Sequence, residues 1–325
     1  MKESSLYPWL QPYSNRLLDY IRQNKIPQAL LLTGNSGLGK RKLAEYYASI
    51  LLCENPGDNL EACGECQSCK LIASATHPDF LMIEPEEPGK AIGINVIRGL
   101  ITRLSLKPQF NGQRIIIIDA ADYLNNAAAN AFLKCLEEPN ERTSFVLIAE
   151  KPSLLPITIR SRCQNLFIEL GDKSVVYDWL TQQQVSDPEL MLELAQDSPL
   201  KALAYAGNDM LTLYQQCLSH WVGLISGKGK LNAVQLAENW QKTLSVEVIL
   251  DWLSKWLIIL VKQQYQQPAG RIEQSALQEI RNRLDLSKLF QCYDLLLQSR
   301  RLVDTQVNKQ LLLERVLIEA SHLSK

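Results

Sequence analysis

The chain carries no excess of either charge. Its 325 residues hold 34 Lys and Arg against 35 Asp and Glu, a net charge of −1. No global basic field draws it to nucleic acid or an anionic membrane, so any DNA contact must be local or shared with partners. No apolar run approaches the ~20 residues that span a bilayer. The opening stretch, Met1-Lys2-Glu3-Ser4-Ser5-Leu6, has no apolar signal region. The expectation is a cytoplasmic protein without a membrane partner, in whose reducing compartment the eight cysteines read as thiols or metal ligands before disulfides. Apolar residues make up 46%, as in globular proteins, and the length suffices for two or three domains with a substantial core.

Two further absences sit inside motifs. Gly34-Asn35-Ser36-Gly37-Leu38-Gly39-Lys40-Arg41 lies between an apolar run, Ala29 to Leu32, that reads as a buried strand and a helical stretch from Arg41 to Leu52. Glycines at 34, 37 and 39 would let the backbone turn its N–H groups inward at a helix N-terminus, and Lys40 would reach the outer phosphates of a nucleotide. The last position of such a loop is Ser or Thr, whose hydroxyl holds Mg²⁺. Here it is Arg41, which cannot ligate a cation. The second strand-like run, Arg114 to Ile118, is wholly apolar after its arginine and ends in Asp119. A strand buried on both faces implies a parallel sheet covered by helices, and a carboxylate at its C-terminal end stands where such sheets bind ligands. Asp119 would help hold Mg²⁺, but the next residue, Ala120, cannot orient an attacking water. The plainer reading of Asp119 is a cap for a helix from Asp122 to Glu138.

Cys53, Cys63, Cys66 and Cys69 are spaced C-x9-C-x2-C-x2-C, and only Leu60 and Ala62 among the intervening residues are aliphatic. So few apolar groups cannot offset the entropy of ordering the segment. A tetrahedral four-thiolate zinc site would, and structural zinc supplies on the order of 10 kcal/mol. Reduced or redox-paired thiols, or another thiophilic metal, are the alternatives. Cys135, Cys163, Cys217 and Cys292 are isolated and read as small buried residues. Around these motifs the pattern predicts a helix in Tyr7 to Lys25, a strand Asp79 to Ile83, a helix Ile94 to Leu106, and a helix with Ala128, Phe132 and Leu136 on its core face, stopped by Pro139. A strand Thr143 to Ala149, a short helix within Pro152 to Cys163 and a last strand Gln164 to Leu170 follow.

LLTGNSGLGK, the four-cysteine loop, THPDF, IIIIDAAD, AAANAFLKCLEEP and IRSRC occur in this order and spacing. Together they resemble the bacterial clamp-loader family within the AAA+ ATPases, most strongly over residues 28–168. The resemblance implies an α/β domain followed by all-α structure. An AAA+ P-loop domain with a parallel sheet (residues 1–168, with the cysteine module at 53–69) precedes a small helical lid (169–208) and a C-terminal helical collar (209–325). The collar would comprise helices Leu211 to Ile225, Asn232 to Leu244, Glu247 to Gln264, Gln274 to Leu284, Ser287 to Leu302 and Val307 to Leu323. Turns would fall at Gly227 to Lys230 and Gln267 to Gly270, and Trp221, Trp240, Trp252 and Trp256 would pack the core.

Active members of the family carry Ser or Thr where Arg41 stands, Glu at Ala120, a polar sensor near Ala149-Glu150 and a sensor arginine at Leu200. Each departure removes a different part of phosphoryl transfer. The implied chain is a non-hydrolysing accessory subunit of the DNA polymerase III holoenzyme that does not bind ATP productively. Lys40 leaves phosphate binding open, and Lys201 is a candidate substitute cation. Arg162 of the SRC motif would enter a neighbouring subunit's ATP site as an arginine finger, while Arg160, two residues away, would point elsewhere. The implied partners are the delta and gamma/tau clamp-loader subunits, the sliding clamp, and primed DNA within the complex. Competing readings are a hydrolysing gamma/tau-type subunit, a small-molecule P-loop kinase, and a zinc-dependent DNA-binding protein. The first conflicts with Arg41 and Ala120. The second leaves the cysteine and SRC motifs unexplained. The third conflicts with the acidic cysteine loop, whose Glu54, Asp58, Glu61 and Glu65 would repel phosphate.

Overall fold

A computed structural model describes residues 6–87, 89–110, 113–138, 142–265, 276–278, 280, 284–303 and 307–323. The chain divides into two compact units, Met1–Ala206 and Gly207–Lys325. The first is built on a five-stranded sheet of β1 (Ala29–Thr33), β2 (Phe80–Ile83), β3 (Arg114–Ile118), β4 (Thr143–Ala149) and β5 (Gln164–Phe167). The order is β2-β3-β4-β1-β5 and every neighbouring pair is parallel. Ile116 lies across from Leu81 and Phe145, and Leu31 across from Leu147 and Asn165. Every residue of β1, β3 and β4 is buried, whereas β2 and β5, at the edges, keep residues in water. This is the burial expected of parallel strands between helical layers.

Strand periodicity sorts the core. Leu31, Leu81, Ile83, Ile116, Ile118, Phe145 and Leu147 join one apolar cluster with Ile97 and Leu100 of α4 (Ile94–Leu104) and Phe132 of α5 (Asn126–Glu137). Helix α2 (Lys40–Leu52) lies against β3 and β4. α1 (Gln11–Arg22) and α3 (Gln67–Ala73) complete this part. Asp79 of the THPDF motif is wholly buried and fully used. One oxygen accepts the amides of Gln109 and Phe110 at 2.7 Å each, and the other faces Arg114 at 3.4 Å.

Several boundaries differ from the sequence expectation. The helix expected from Asp122 begins at Asn126, because the Asn125 side chain accepts the Ala128 amide at 2.8 Å and caps it, leaving Asp122 in a 3-10 turn. Asp119 therefore does not cap that helix; its Oδ1 accepts the amide of Ala120 at 3.0 Å. Pro152 to Cys163 divides into a 3-10 turn, Pro152–Leu154, and α6 (Ile157–Arg160), since Pro156 cannot continue a helix from the turn. β5 ends at Phe167, α4 at Leu104, and the first helix starts at Gln11 behind a 3-10 turn. Cys135, Cys217 and Cys292 are buried, but Cys163 is only half-buried. Pro139, the turn Gln267 to Gly270 and most of the expected helix Gln274 to Leu284 lie outside the described residues.

Three short helices close the first unit: α7 (Lys173–Gln182), α8 (Pro188–Leu194) and α9 (Pro199–Gly207). The second unit is helical, with α10 (Met210–Ile225), α11 (Ala233–Gln241), α12 (Val246–Gln264) and helices Leu286–Leu302 and Lys309–Ser321. Its core is aromatic. Trp221, Trp252 and Trp256 are fully buried with Tyr214, whose hydroxyl accepts the Trp256 indole N–H at 2.8 Å. Among the described residues, no helix is long and apolar enough to cross a membrane.

Candidate functional site

The loop between β1 and α2 has the backbone of a phosphate cradle. Gly34, Gly37 and Gly39 have φ of 139°, 70° and 84°, and Gly39 is the N-terminal cap of α2. A Cβ at Gly34 would stand 2.1 Å from the Ile168 carbonyl oxygen, and one at Gly37 2.0 Å from Ser198 Oγ. Glycine is thus required twice over, by conformation and by space. Lys40 is buried, and its ammonium donates to the carbonyls of Gly34 at 2.9 Å and Asn35 at 2.6 Å. Burial holds its pKa below the ordinary lysine value, against the opposing pull of Glu150, Asp122 and Asp119. The cation that would meet a phosphate is tied to its own loop.

Arg41 occupies the place of the metal-binding hydroxyl. Its Nε donates to Glu45 at 3.0 Å, and one terminal nitrogen reaches Glu84 at 2.6 Å and Asp119 at 3.3 Å. Burial would lower its pKa, but the bonds to Glu45 and Glu84 and the charges of Glu84 and Asp119 outweigh it and raise the value. Both carboxylate oxygens of Asp119 are engaged, one by Arg41 and one by the Ala120 amide. Beside them, Glu84, Asp119, Asp122 and Glu150 line an open cavity of about 460 Å³ at the ends of β2, β3 and β4. Among the described residues its lining includes no basic side chain. Such a cleft disfavours the triphosphate of a nucleotide unless cations screen it. Sequence reading gave no role to Glu84 and Glu45. The signal for Glu84 was present, since it follows β2 directly, as Asp119 follows β3 and Glu150 follows β4.

The helices α7 and α9 meet the loop from the other side. The Leu200 amide donates to the Gly37 carbonyl at 3.3 Å. Tyr7 and Trp9 stack at 4.9 Å, Trp179 of α7 packs edge-on against both, and the Trp9 indole donates to the Leu38 carbonyl at 2.9 Å. A Cβ at Gly39 would be 2.6 Å from the Tyr7 ring. Leu200 brings no charge to the loop, and the Lys201 ammonium lies 5.6 Å from the centre of the Tyr205 ring.

Arg162 stands apart from the loop. One terminal nitrogen donates to the Thr158 carbonyl of α6 at 2.9 Å, and the other pairs with Glu137, the last residue of α5, at 2.8 Å. The side chain is 39% exposed, and Leu154 and Ile157 nearby in sequence expose large apolar groups. Arg160 is less exposed, with its Nε enclosed and without a hydrogen-bond partner among the described residues.

Cys53, Cys63, Cys66 and Cys69 converge. Their sulfurs lie within 4.8 Å of one another, and those of Cys63 and Cys69 are 4.0 Å apart. Four Zn–S bonds of about 2.3 Å arranged tetrahedrally place sulfurs about 3.8 Å apart, so the donor set fits zinc. Backbone amides already point at the sulfurs. Cys63 N–H donates to Cys53, Cys66 N–H to Cys63, and Cys69 N–H to Cys66, at 3.3, 3.3 and 3.4 Å. The amides of Cys66 and Glu65 pull the Cys63 thiol down to about 6, while burial raises Cys53 and Cys69. None of the eight cysteines forms a disulfide. Behind the module, His77 Nδ1 accepts the Asp79 amide at 3.1 Å, so Nε2 carries the proton toward Ser68 Oγ at 2.9 Å. Ser68 in turn donates to the Leu52 carbonyl at 2.6 Å. This chain of bonds ties the cysteine module to α2 and to the start of β2.

A parallel sheet with this loop and strand-end carboxylate, followed by short helices that touch the loop, is the fold of an AAA+-type P-loop module. Residues 10–170 match the family model described as DNA polymerase III, delta subunit, and residues 223–322 the one described as its C-terminal part. The delta prime subunit of Pseudomonas aeruginosa DNA polymerase III is 32% identical over 98% of each chain, and that of Haemophilus influenzae 30% identical over 78% of each. A DNA polymerase III gamma subunit-related protein of Thermotoga maritima superposes with a TM-score of 0.49 at 19% identity, over 98% of this chain and all of that one. The chain belongs to the delta prime family of DNA polymerase III subunits.

Proposed function

We propose that the chain is a clamp-loader subunit that does not hydrolyse ATP itself and completes the ATP site of a neighbouring subunit. The observation that carries this is Arg41, fixed on Glu84 and Asp119 at 2.6 and 3.3 Å where a hydroxyl and Mg²⁺ would otherwise sit. Ala120, Leu200 and the inward-turned Lys40 support it. What remains suited to phosphoryl transfer is Arg162. A guanidinium delivered to a neighbour's nucleotide spreads positive charge over the phosphates as they separate. In this reading residues 1–168 form the nucleotide-binding-like domain, 169–208 the lid and 209–325 the collar that joins other subunits. The partners are delta- and gamma/tau-type subunits, a sliding clamp and primed DNA. Zinc held by Cys53, Cys63, Cys66 and Cys69 is structural, and a cytoplasmic setting keeps those thiols reduced.

The test is reconstitution with the ATP-hydrolysing and delta-type subunits, the clamp and primed DNA. Arg162→Ala is expected to abolish clamp loading and to remove about 10³-fold or more of the rate at the one site it serves, while the isolated wild-type chain shows no turnover. Unchanged clamp loading and ATPase in the Arg162→Ala complex would refute the finger. Mg²⁺-dependent turnover by the isolated chain would favour a gamma/tau-type motor.

A further inference from the structure

We infer that Glu137 is the positioning residue of the Arg162 finger, an assignment that rests on the function just proposed. α5 ends in Glu137, with Glu138 as its C-cap. Carboxylates at that end oppose the helix dipole, which favours cations there. Glu137 breaks this local rule, and its carboxylate is answered from outside the helix by Arg162 at 2.8 Å. The second anchor is equally specific. The Thr158 carbonyl lies in the single turn of α6, four residues before Arg162, and accepts the other terminal nitrogen at 2.9 Å. A guanidinium bonded at one terminal nitrogen and paired by charge at the other, by groups on two different helices, has its direction set.

The bond to Thr158 uses one of its five N–H donors, and the Glu137 carboxylate holds the other terminal nitrogen by charge at 2.8 Å, which leaves donors for an external oxyanion. The pair is also weak enough to permit that. With the side chains 39% and 49% exposed, solvent screens it. An incoming triphosphate outcompetes one screened carboxylate with ease. Glu137 therefore orients Arg162 before the neighbour arrives and does not lock it away. Removing Glu137 leaves a long side chain anchored at one end, to be ordered at the moment of reaction.

The experiment measures DNA-dependent ATPase against ATP concentration in the reconstituted complex for Glu137→Ala, Glu137→Gln, Arg162→Ala and the double variant. The share of kcat that Arg162→Ala removes is the share the finger supports. Glu137→Ala is expected to lower that share about three- to tenfold, the cost of ordering one freed side chain, with KM for ATP within twofold. Glu137→Gln, which keeps an oxygen of the same reach beside Arg162, should retain more of the share than Glu137→Ala, and the double variant should match Arg162→Ala alone. If Arg162→Ala has no effect, the proposed function itself fails. If it has its effect but Glu137→Ala matches or exceeds wild type, or the two losses add, the finger stands and the role of Glu137 is overturned. Gel filtration and thermal melting of each complex separate a loss of assembly, which Gln would not rescue selectively in kcat, from a loss of positioning.

Discussion

Replacing Arg41 with Thr restores a hydroxyl in the first turn of α2 and withdraws the cation that joins Glu45, Glu84 and Asp119. The Arg41 side chain is 48% exposed, so each pair contributes about 0–1 kcal/mol, and losing all three costs about 1–2 kcal/mol. For a unit of this size that lowers the melting temperature by about 2–8 °C, at about 2–4 °C per kcal/mol. The variant then presents two strand-end carboxylates and a hydroxyl, an all-oxygen set suited to Mg²⁺. A cation at ten times its dissociation constant restores about 1.4 kcal/mol, so Mg²⁺ should raise the melting temperature of Arg41→Thr while leaving wild type unmoved. Calorimetric titration should show Mg²⁺-dependent ATP binding only in the variant. Neither protein should release phosphate, because Ala120 still provides no carboxylate to orient water. The reasoning is refuted if the variant's melting is indifferent to Mg²⁺, or if wild type turns ATP over.

Purified protein should hold one zinc by elemental analysis. The Cys63→Ser/Cys66→Ser variant should lose it, with proteolytic cleavage appearing between residues 54 and 66. Gly37→Ala must place a side chain at φ 70° and 2.0 Å from Ser198 Oγ. It should destabilise the first unit by about 2–3 kcal/mol through left-handed strain and a displaced rotamer. Adding Ser198→Ala should recover the rotamer part in a thermal melt. His77 has its pKa lowered from 6.5 by burial, against Asp79 and Glu54. Its folded pKa lies below its unfolded one, so the unfolded chain binds the extra proton in between. The stability this neutral imidazole confers is present above pH 6.5 and falls away as acid approaches the depressed value. His77→Gln should show a shallower loss of melting temperature than wild type between pH 7 and 5.5, and equal slopes would rule this out.

Much of the architecture was legible along the chain. The apolar runs at Ala29 to Leu32 and Arg114 to Ile118 read as buried parallel strands because burial on both faces leaves no polar alternation. The glycine-lysine loop and the four-cysteine spacing read as local units because their chemistry lies within a few residues. Boundaries at Asn125 and Pro156 were missed for the same local reason in reverse. A cap two or three residues into an expected helix moves its start, and periodicity does not register that shift.

The sequence alone determined which groups are absent: no hydroxyl at 41, no carboxylate at 120, no cation at 200, no charge excess to hold a polyanion. Composition settles these, because no fold can supply an atom the chain lacks. Only the tertiary structure decided what the remaining groups do. It set Arg41 on Asp119, 78 positions away, turned Lys40 back on its own loop, packed Tyr7, Trp9 and Trp179 beside it, and joined Arg162 to Glu137. These contacts depend on strands and helices distant in sequence being carried to the same end of the sheet or to one helix terminus. A charge pair is decided by distances of about 3 Å, which spacing along the chain does not encode.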